Sequence, residues 1–285
     1  MTHCGATKTR LVHEQAISIH EHLYPFTVAI FDQEQGEWGS GTLIQIGQQV
    51  FIATAGHVTC EYPNGRLQII PETPKPAQSG LLAVKRSIRV RSDLIDVGAL
   101  ELPAIALEYL GKKAIEIDRL KDASSGDSDF ALVVGYPGKL ACKSPLIVRC
   151  AASMCRCIPA GEWEALMPLA EDTAAANKEV DVFLGYDDEN VGSIRTHEPT
   201  GFPPADGFSG GGVWAFGDVP GLWSPQRSKL FGIQTRWDGI RKARRYLRAT
   251  QIIYWLALVA EHYPKLRREL VARFPRLNAV RKDIV

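Results

Sequence analysis

Gly207-Phe208-Ser209-Gly210-Gly211 sets a single serine among glycines, and the reading of this loop decides the fold. A serine hydroxyl is a poor nucleophile unless a base takes its proton and donors receive the charge that builds on the attacked carbonyl. Glycines on both sides let the backbone turn tightly enough for its N–H groups to face outward as such donors. Glycine-serine strings also occur in plain turns. The loop therefore gains meaning only if the chain elsewhere supplies a histidine and an acid in matching settings.

Working upstream, Gly39-Ser40-Gly41-Thr42-Leu43-Ile44 and Val50-Phe51-Ile52-Ala53-Thr54-Ala55-Gly56-His57-Val58 flank the polar Gly47-Gln48-Gln49. Two short β-rich runs joined this way read as a hairpin. The second run carries apolar residues into the core and then stops at small ones, so His57 sits at a strand end with a fixed backbone. A general base needs such a mounting. The acid is Asp96, in Asp96-Val97-Gly98-Ala99-Leu100. A carboxylate between Ile95 and Val97 is costly to bury without a partner, and an imidazole N–H is one. Asp93 is the competing acid, but Leu94-Ile95 follow it and it lacks the Val-Gly-Ala-Leu continuation.

These blocks together resemble the trypsin-like (chymotrypsin-fold) serine peptidases, and they occur in that family's order: Thr54-Ala55-Gly56-His57, Asp96-Val97-Gly98-Ala99-Leu100, Gly207-Phe208-Ser209-Gly210-Gly211. Three further stretches are similar to family strands: Gly39 to Ile44, Val133-Val134-Gly135-Tyr136-Pro137-Gly138, and Leu230-Phe231-Gly232-Ile233-Gln234-Thr235. The resemblance spans roughly residues 26 to 260. It implies an all-β fold of two packed six-stranded antiparallel β-barrels with a C-terminal α-helix. The first barrel would occupy about 26–121 and the second about 129–248, after an N-terminal extension (1–25) and before a basic helix and tail (250–285).

The same resemblance implies an endopeptidase with Ser209 as nucleophile, His57 as general base and then acid, and Asp96 as orienting carboxylate. The backbone N–H groups of Gly207 and Ser209 would form the oxyanion hole, and Thr235 would support the buried acid. Gln234, Thr235, Arg236 and Trp237 would form one wall of the substrate cleft, and Pro203, Pro204 and Asp206 the other. It implies no metal and no cofactor. A catalytically silent peptide-binding module on the same fold is the alternative.

Two positions depart from the family pattern. Phe208 stands where secreted members usually have an aspartate that pairs with a newly cut N-terminus. Ala16-Ile17-Ser18-Ile19 is unlike such a terminus, so activation by N-terminal cleavage is not expected. At the pocket base, Pro203 or Pro204 offers no charge, which points to a small or medium apolar residue before the cut, although Asp206 near the mouth could favour a basic one.

Composition bounds the rest. With 285 residues and 45% hydrophobic content the chain can bury one or two ordinary cores. The start lacks a basic-then-apolar signal, so a cytoplasmic protein with reduced thiols is expected. No apolar run approaches the ~18 residues of a membrane span. Ile252 to Ala260 reads instead as a buried helix start continuing through Pro264 to about Phe274. Cys142, Cys150, Cys155 and Cys157 crowd together, but their spacing fits no common zinc site. Residues 241–285 hold 12 Lys and Arg against 3 Asp and Glu, and the remainder 21 against 29. No aromatic-interleaved basic motif accompanies that tail, which argues against nucleic acid as a partner. The expected partners are a protein or peptide substrate and a regulatory protein. Ala151 to Thr200 is longer than a barrel connection needs, with a strand expected at Val180 to Tyr186 and a helix at Trp163 to Ala176.

Overall fold

The computed structural model describes residues 17–32, 38–60, 67–70, 82, 84–92, 94–122, 129–137, 142–143, 146–147, 150–165, 177–186, 191–193, 205, 207–215, 224–238 and 246–284. Residues 17–23 are helical (α1), and Ile19 and Leu23 bury their side chains. The first sheet comprises β1 (Thr27–Asp32), β2 (Trp38–Ile46), β3 (Gln49–Thr54), β4 (Leu67–Ile70), β5 (Arg86–Arg91) and β6 (Asp96–Leu102). They pair antiparallel in the order β4-β1-β2-β3-β6-β5, with the two-residue β7 (Ile115–Glu116) parallel beside β2. Short helices α2 (Gly56–Cys60) and α3 (Ala106–Leu110) follow β3 and β6.

The second sheet contains β8 (Phe130–Gly135), β11 (Ala151–Arg156), β12 (Asp181–Gly185), β13 (Val191–Ser193), β14 (Gly212–Ala215), β15 (Lys229–Asp238) and β16 (Tyr246–Gln251). Its order is β12-β16-β15-β14-β8-β11-β13. A separate ribbon pairs β9 (Cys142–Lys143) with β10 (Leu146–Ile147). The all-β architecture expected from the sequence is therefore the one found.

Strand alternation explains how the sheets meet. In β3, Val50 and Ile52 join Leu43 and Leu100 in one cluster. Their neighbours Phe51 and Ala53 face the opposite way, into a cluster that also holds Leu132, Val134 and Ile233 of the second sheet. β8 divides likewise, with Ala131 and Val133 facing a third cluster. Strands buried on both faces must be apolar at consecutive positions, which is why these runs show no polar alternation.

The C-terminal segment closes the shared cluster. Every residue of α4 (Ile252–His262) from Ile252 to Ala260 is buried. Each large apolar side chain among them contributes about 1.5–3 kcal/mol relative to exposure. Although α4 continues directly from β16, it docks on the first sheet as well. Trp255 Nε1 donates to the Gly98 carbonyl at 3.0 Å, and the Trp255 ring meets Phe51 edge-on at 6.2 Å. The Tyr263 hydroxyl donates to Glu101 at 2.8 Å. The expected single helix is divided, since Pro264 opens α5 (Pro264–Arg273) and holds Tyr263 at φ −127, ψ 77. A further short helix, α6 (Leu277–Val280), follows.

Within the long connection, β12 matches the expected strand. A 3-10 segment spans Ala160–Ala165 where a helix was expected, and residues 166–176 lie outside those described. Cys150 packs in the shared cluster and Cys155 in the second-sheet core, while Cys157 lies against that core. None of the three is in a disulfide, and burial, helped by Asp129, pushes the Cys157 thiol up to about 12.

Candidate active site

β3 ends at Thr54, Ala55 intervenes, and α2 begins at Gly56, so His57 enters the first turn of a helix anchored to a strand buried from Val50 to Thr54. Asp96 opens β6, where Ala53 pairs with Ala99 and Thr54 with Gly98. This register carries the start of β6 to the level of α2. The Asp96 carboxylate then holds His57 twice: Oδ1 accepts the backbone N–H at 2.8 Å and Oδ2 faces Nδ1 at 2.7 Å. A carboxylate only accepts, so Nδ1 carries the hydrogen and Nε2 is the ring nitrogen turned away from Asp96. Asp96 is 7% exposed and His57 31%, so the acid is sealed while the ring still meets solvent. The approach requires a glycine at 56, because a Cβ there would lie 2.5 Å from the Val90 carbonyl and 2.7 Å from Asp96 Oδ1.

The serine comes from the second sheet, in the turn leading into β14. Phe208 N–H donates to the Ala205 carbonyl at 2.9 Å, Gly210 N–H to Gln234 at 2.7 Å and Gly211 N–H to Phe208 at 2.6 Å. Among the described residues, the N–H groups of Gly207 and Ser209 take no backbone acceptor. Those are the two donors that a carbonyl oxygen entering beside Ser209 could use. The Phe208 side chain is 1% exposed, packed with Ala205, Val213 and Phe231 in the second-sheet core. An apolar anchor therefore holds the loop at the position where no ion pair was expected.

One residue ties the loop to the histidine strand. Ser40 of β2 is fully buried, and its backbone N–H donates to the Ser209 carbonyl at 2.7 Å. Its hydroxyl donates to the Gly207 carbonyl at 2.6 Å and accepts from Tyr136 N–H at 2.8 Å. Its carbonyl accepts from the Thr54 hydroxyl at 2.7 Å, three residues before His57. Gly210 sits under this joint at φ +87, and a Cβ there would collide with both the Ser40 carbonyl and the Thr54 hydroxyl. Sequence reasoning took Gly39-Ser40-Gly41 only as a strand. A hydroxyl between two glycines in a core strand was the available signal.

The histidine and the acid are thus in direct contact, and the serine loop is fastened beside them through Ser40 and Thr54. Among the described residues no hydrogen bond joins the Ser209 hydroxyl to the His57 ring. Pro203, Pro204 and Asp206 lie outside the described residues, as does the competing Asp93. On the other wall, Gln234 is fully buried and Thr235 nearly so, while Arg236 and Trp237 are half-buried. Thr235 does not brace Asp96: its hydroxyl donates to the Arg248 carbonyl at 3.3 Å. The register shift between Gln234 and Arg236 sets Thr235 out of step with its neighbours on β16.

No family model matches the sequence, and no curated protein matches it. Among solved structures the chain is similar to kallikrein-related peptidase 10, with a TM-score of 0.50 and 16% identity over 85% of this chain and 96% of that one. The fold is chymotrypsin-like. At that identity the likeness extends to the fold alone, and function rests on the site.

Proposed function

We propose that the protein is a serine endopeptidase acting through an acyl-enzyme, with Ser209 as nucleophile, His57 as general base and acid, and Asp96 as orienting carboxylate. The observation that carries this reading is the double hold of Asp96 on His57, at 2.8 Å to the backbone and 2.7 Å to Nδ1. That hold leaves Nε2 as the free basic nitrogen of a partly exposed ring. In the first step Ser209 Oγ attacks a peptide carbonyl while His57 Nε2 takes its proton. The oxyanion is received by the N–H groups of Gly207 and Ser209, and His57 returns the proton to the leaving amine. Water, deprotonated by the same nitrogen, then releases the acyl group. The buried Phe208 supports a loop that stands formed without a cleaved N-terminus. Its action on a specific partner protein inside the cell belongs to the same proposal.

A second reading, a peptide-binding module without catalysis, draws on the missing hydrogen bond between Ser209 and His57. Catalytic hydrogen bonds in empty sites are often long and tighten only with substrate, so the first reading is preferred. A fluorophosphonate probe separates the two. Intact mass should show one adduct on the wild type, located on Ser209, and none on Ser209→Ala or His57→Ala. A wild-type chain that stays unlabelled would overturn the peptidase.

A further inference from the structure

Two polar atoms beside the serine loop are buried without a partner, and together they point to a substrate. Gln234 lies on β15 with its main chain latched to the loop: its carbonyl accepts from Gly210 at 2.7 Å and its N–H donates to Gly211 at 2.9 Å. Its side chain is fully buried. Nε2 donates to the Arg236 carbonyl at 2.9 Å. A carbonyl can only accept, so the amide orientation is fixed and Oε1 is the open end. Among the described residues Oε1 has no hydrogen-bond partner. Neither has the indole N–H of Trp237, three residues along the same strand, although that nitrogen is also buried.

The two side chains share a face. Across the ladder Gln234 stands opposite Ala249 and Trp237 opposite Leu247. Directly paired residues of antiparallel strands project to the same side. Ala249 and Leu247 belong to the core cluster that also holds Ala205 and Phe208, which flank the serine loop. An acceptor and a donor therefore share one face of β15, the strand whose main chain is latched to the serine loop. A buried polar atom without a partner is costly, and native structures seldom keep one without a reason.

We propose that Gln234 and Trp237 recognise a carboxamide side chain, glutamine or asparagine, on the residue whose carbonyl Ser209 attacks. This rests on the peptidase reading and replaces the apolar residue expected from Pro203 and Pro204. The carboxamide N–H donates to Gln234 Oε1, and its oxygen accepts from Trp237 Nε1. Hydroxyl side chains and neutral histidine also combine a donor with an acceptor, so cleavage mainly after serine, threonine, tyrosine or histidine would overturn the proposal. A lysine or arginine would meet the glutamine oxygen but leave the indole N–H unpaired and a charge uncompensated. A carboxylate would meet the indole and face the lone pairs of Oε1. An aliphatic side chain would leave both atoms unpaired. Sites built around such buried hydrogen bonds reject substrates that cannot complete them.

The test has two parts, so that the reading and the inference can fail separately. Fluorophosphonate labelling of Ser209 reports on the peptidase. Cleavage-site mapping of a mixed peptide library by mass spectrometry reports on the pocket. The expected result is cleavage after glutamine or asparagine, with kcat/KM roughly a hundredfold above the matched leucine peptide. Cleavage mainly after lysine, arginine, glutamate or aliphatic residues would overturn the proposal. Gln234→Leu should lower the glutamine-to-leucine ratio by roughly tenfold to a hundredfold. Should that variant not fold, Trp237→Phe keeps the ring, removes the N–H and should lower the same ratio. An unchanged ratio in the folded variant counts against the proposal. If Ser209 takes no label, calorimetry with acetylated tetrapeptides ending in glutamine or leucine measures the pocket directly. Tighter binding of the glutamine peptide supports the carboxamide site, and equal or reversed affinity overturns it.

Discussion

Of the close pairs between a carboxylate and a nitrogen base among the described residues, two whose carboxylate is buried, one on each sheet, differ in nearly every respect. On the first sheet Asp96 meets His57 at 2.7 Å, with the ring 31% exposed. On the second sheet Asp181 of β12 meets Arg248 of β16 through two parallel hydrogen bonds of 2.8 Å, with exposures of 1% and 3%. The guanidinium also lies 5.7 Å from the centre of the Phe183 ring. An arginine does not give up its proton, and nothing can reach this pair, so it can only fix geometry. A histidine changes protonation near neutrality, and its outer nitrogen is reachable, so the same kind of contact can pass a proton. Burying both partners makes a clamp. Burying only the acid makes an oriented base.

The largest effect should come from breaking the exposed pair chemically while leaving its shape. Asp96→Asn keeps an acceptor for the His57 backbone N–H but can present an amide N–H to the ring, which favours the wrong tautomer. By analogy with the general behaviour of such triads, kcat should fall by about 10⁴-fold. The urea midpoint should move little. A rate within a few-fold of wild type would remove Asp96 from the mechanism.

The buried pair should answer in the opposite way. Asp181→Ala removes the buried carboxylate that faces the Arg248 guanidinium, and should cost about 3–5 kcal/mol of stability. The activity of each folded molecule should be unchanged. The charge itself adds little net stability. Burial pushes the Asp181 carboxyl above its ordinary range, against the pull of the Arg248 guanidinium and of a hydrogen bond from Asn177. The folded chain therefore holds this proton to a higher pH than the unfolded chain. The contribution of the proton to stability is full below the unfolded value of 3.8 and is lost as pH rises through the folded value. Measured against Asp181→Asn, the wild type should lose ground over that rise. An apolar replacement of both partners, Asp181→Leu with Arg248→Met, should recover most of the loss in urea unfolding.

What could be read from the sequence follows the same division. His57, Asp96 and Ser209 stand out because each sits in a short stretch whose glycines and small residues are needed locally. Gly56 clears space for the Asp96 carboxylate, and Gly210 for the Ser40 joint. The two-sheet architecture is legible because strands buried on both faces leave apolar runs. The clamps are not legible, since their halves lie far apart. Asp181 and Arg248 are separated by 67 residues and Gly98 and Trp255 by 157, and no local pattern marks either. The same holds for Thr235, whose hydroxyl reaches β16 because of a register shift that composition does not encode. The open Gln234 oxygen is visible only once burial is known.

The smallest expected effect falls on the joint between the two regions. Ser40 carries no charge, yet its hydroxyl bridges the Gly207 carbonyl and Tyr136 N–H across 167 and 96 residues of chain. Ser40→Ala keeps the backbone bond to Ser209 and the carbonyl that accepts from Thr54, and removes only that bridge. The Gly207–Phe208 peptide, which lies between the Gly207 and Ser209 N–H groups, then loses a fixed point on one side. A displacement of about 1 Å at such a site can cost about 100-fold, so a fall in kcat of roughly tenfold to a hundredfold is expected, with KM nearly constant. A donor that matters only for the oxyanion changes kcat in this way. A merely structural serine would instead shift the urea midpoint and leave the rate of the folded protein alone. Ser40→Thr, which restores a hydroxyl, should recover part of kcat where the core admits the extra methyl. Combined with Asp181→Ala, the Ser40→Ala losses in rate and in stability should add independently, because the joint belongs to the site and the clamp does not.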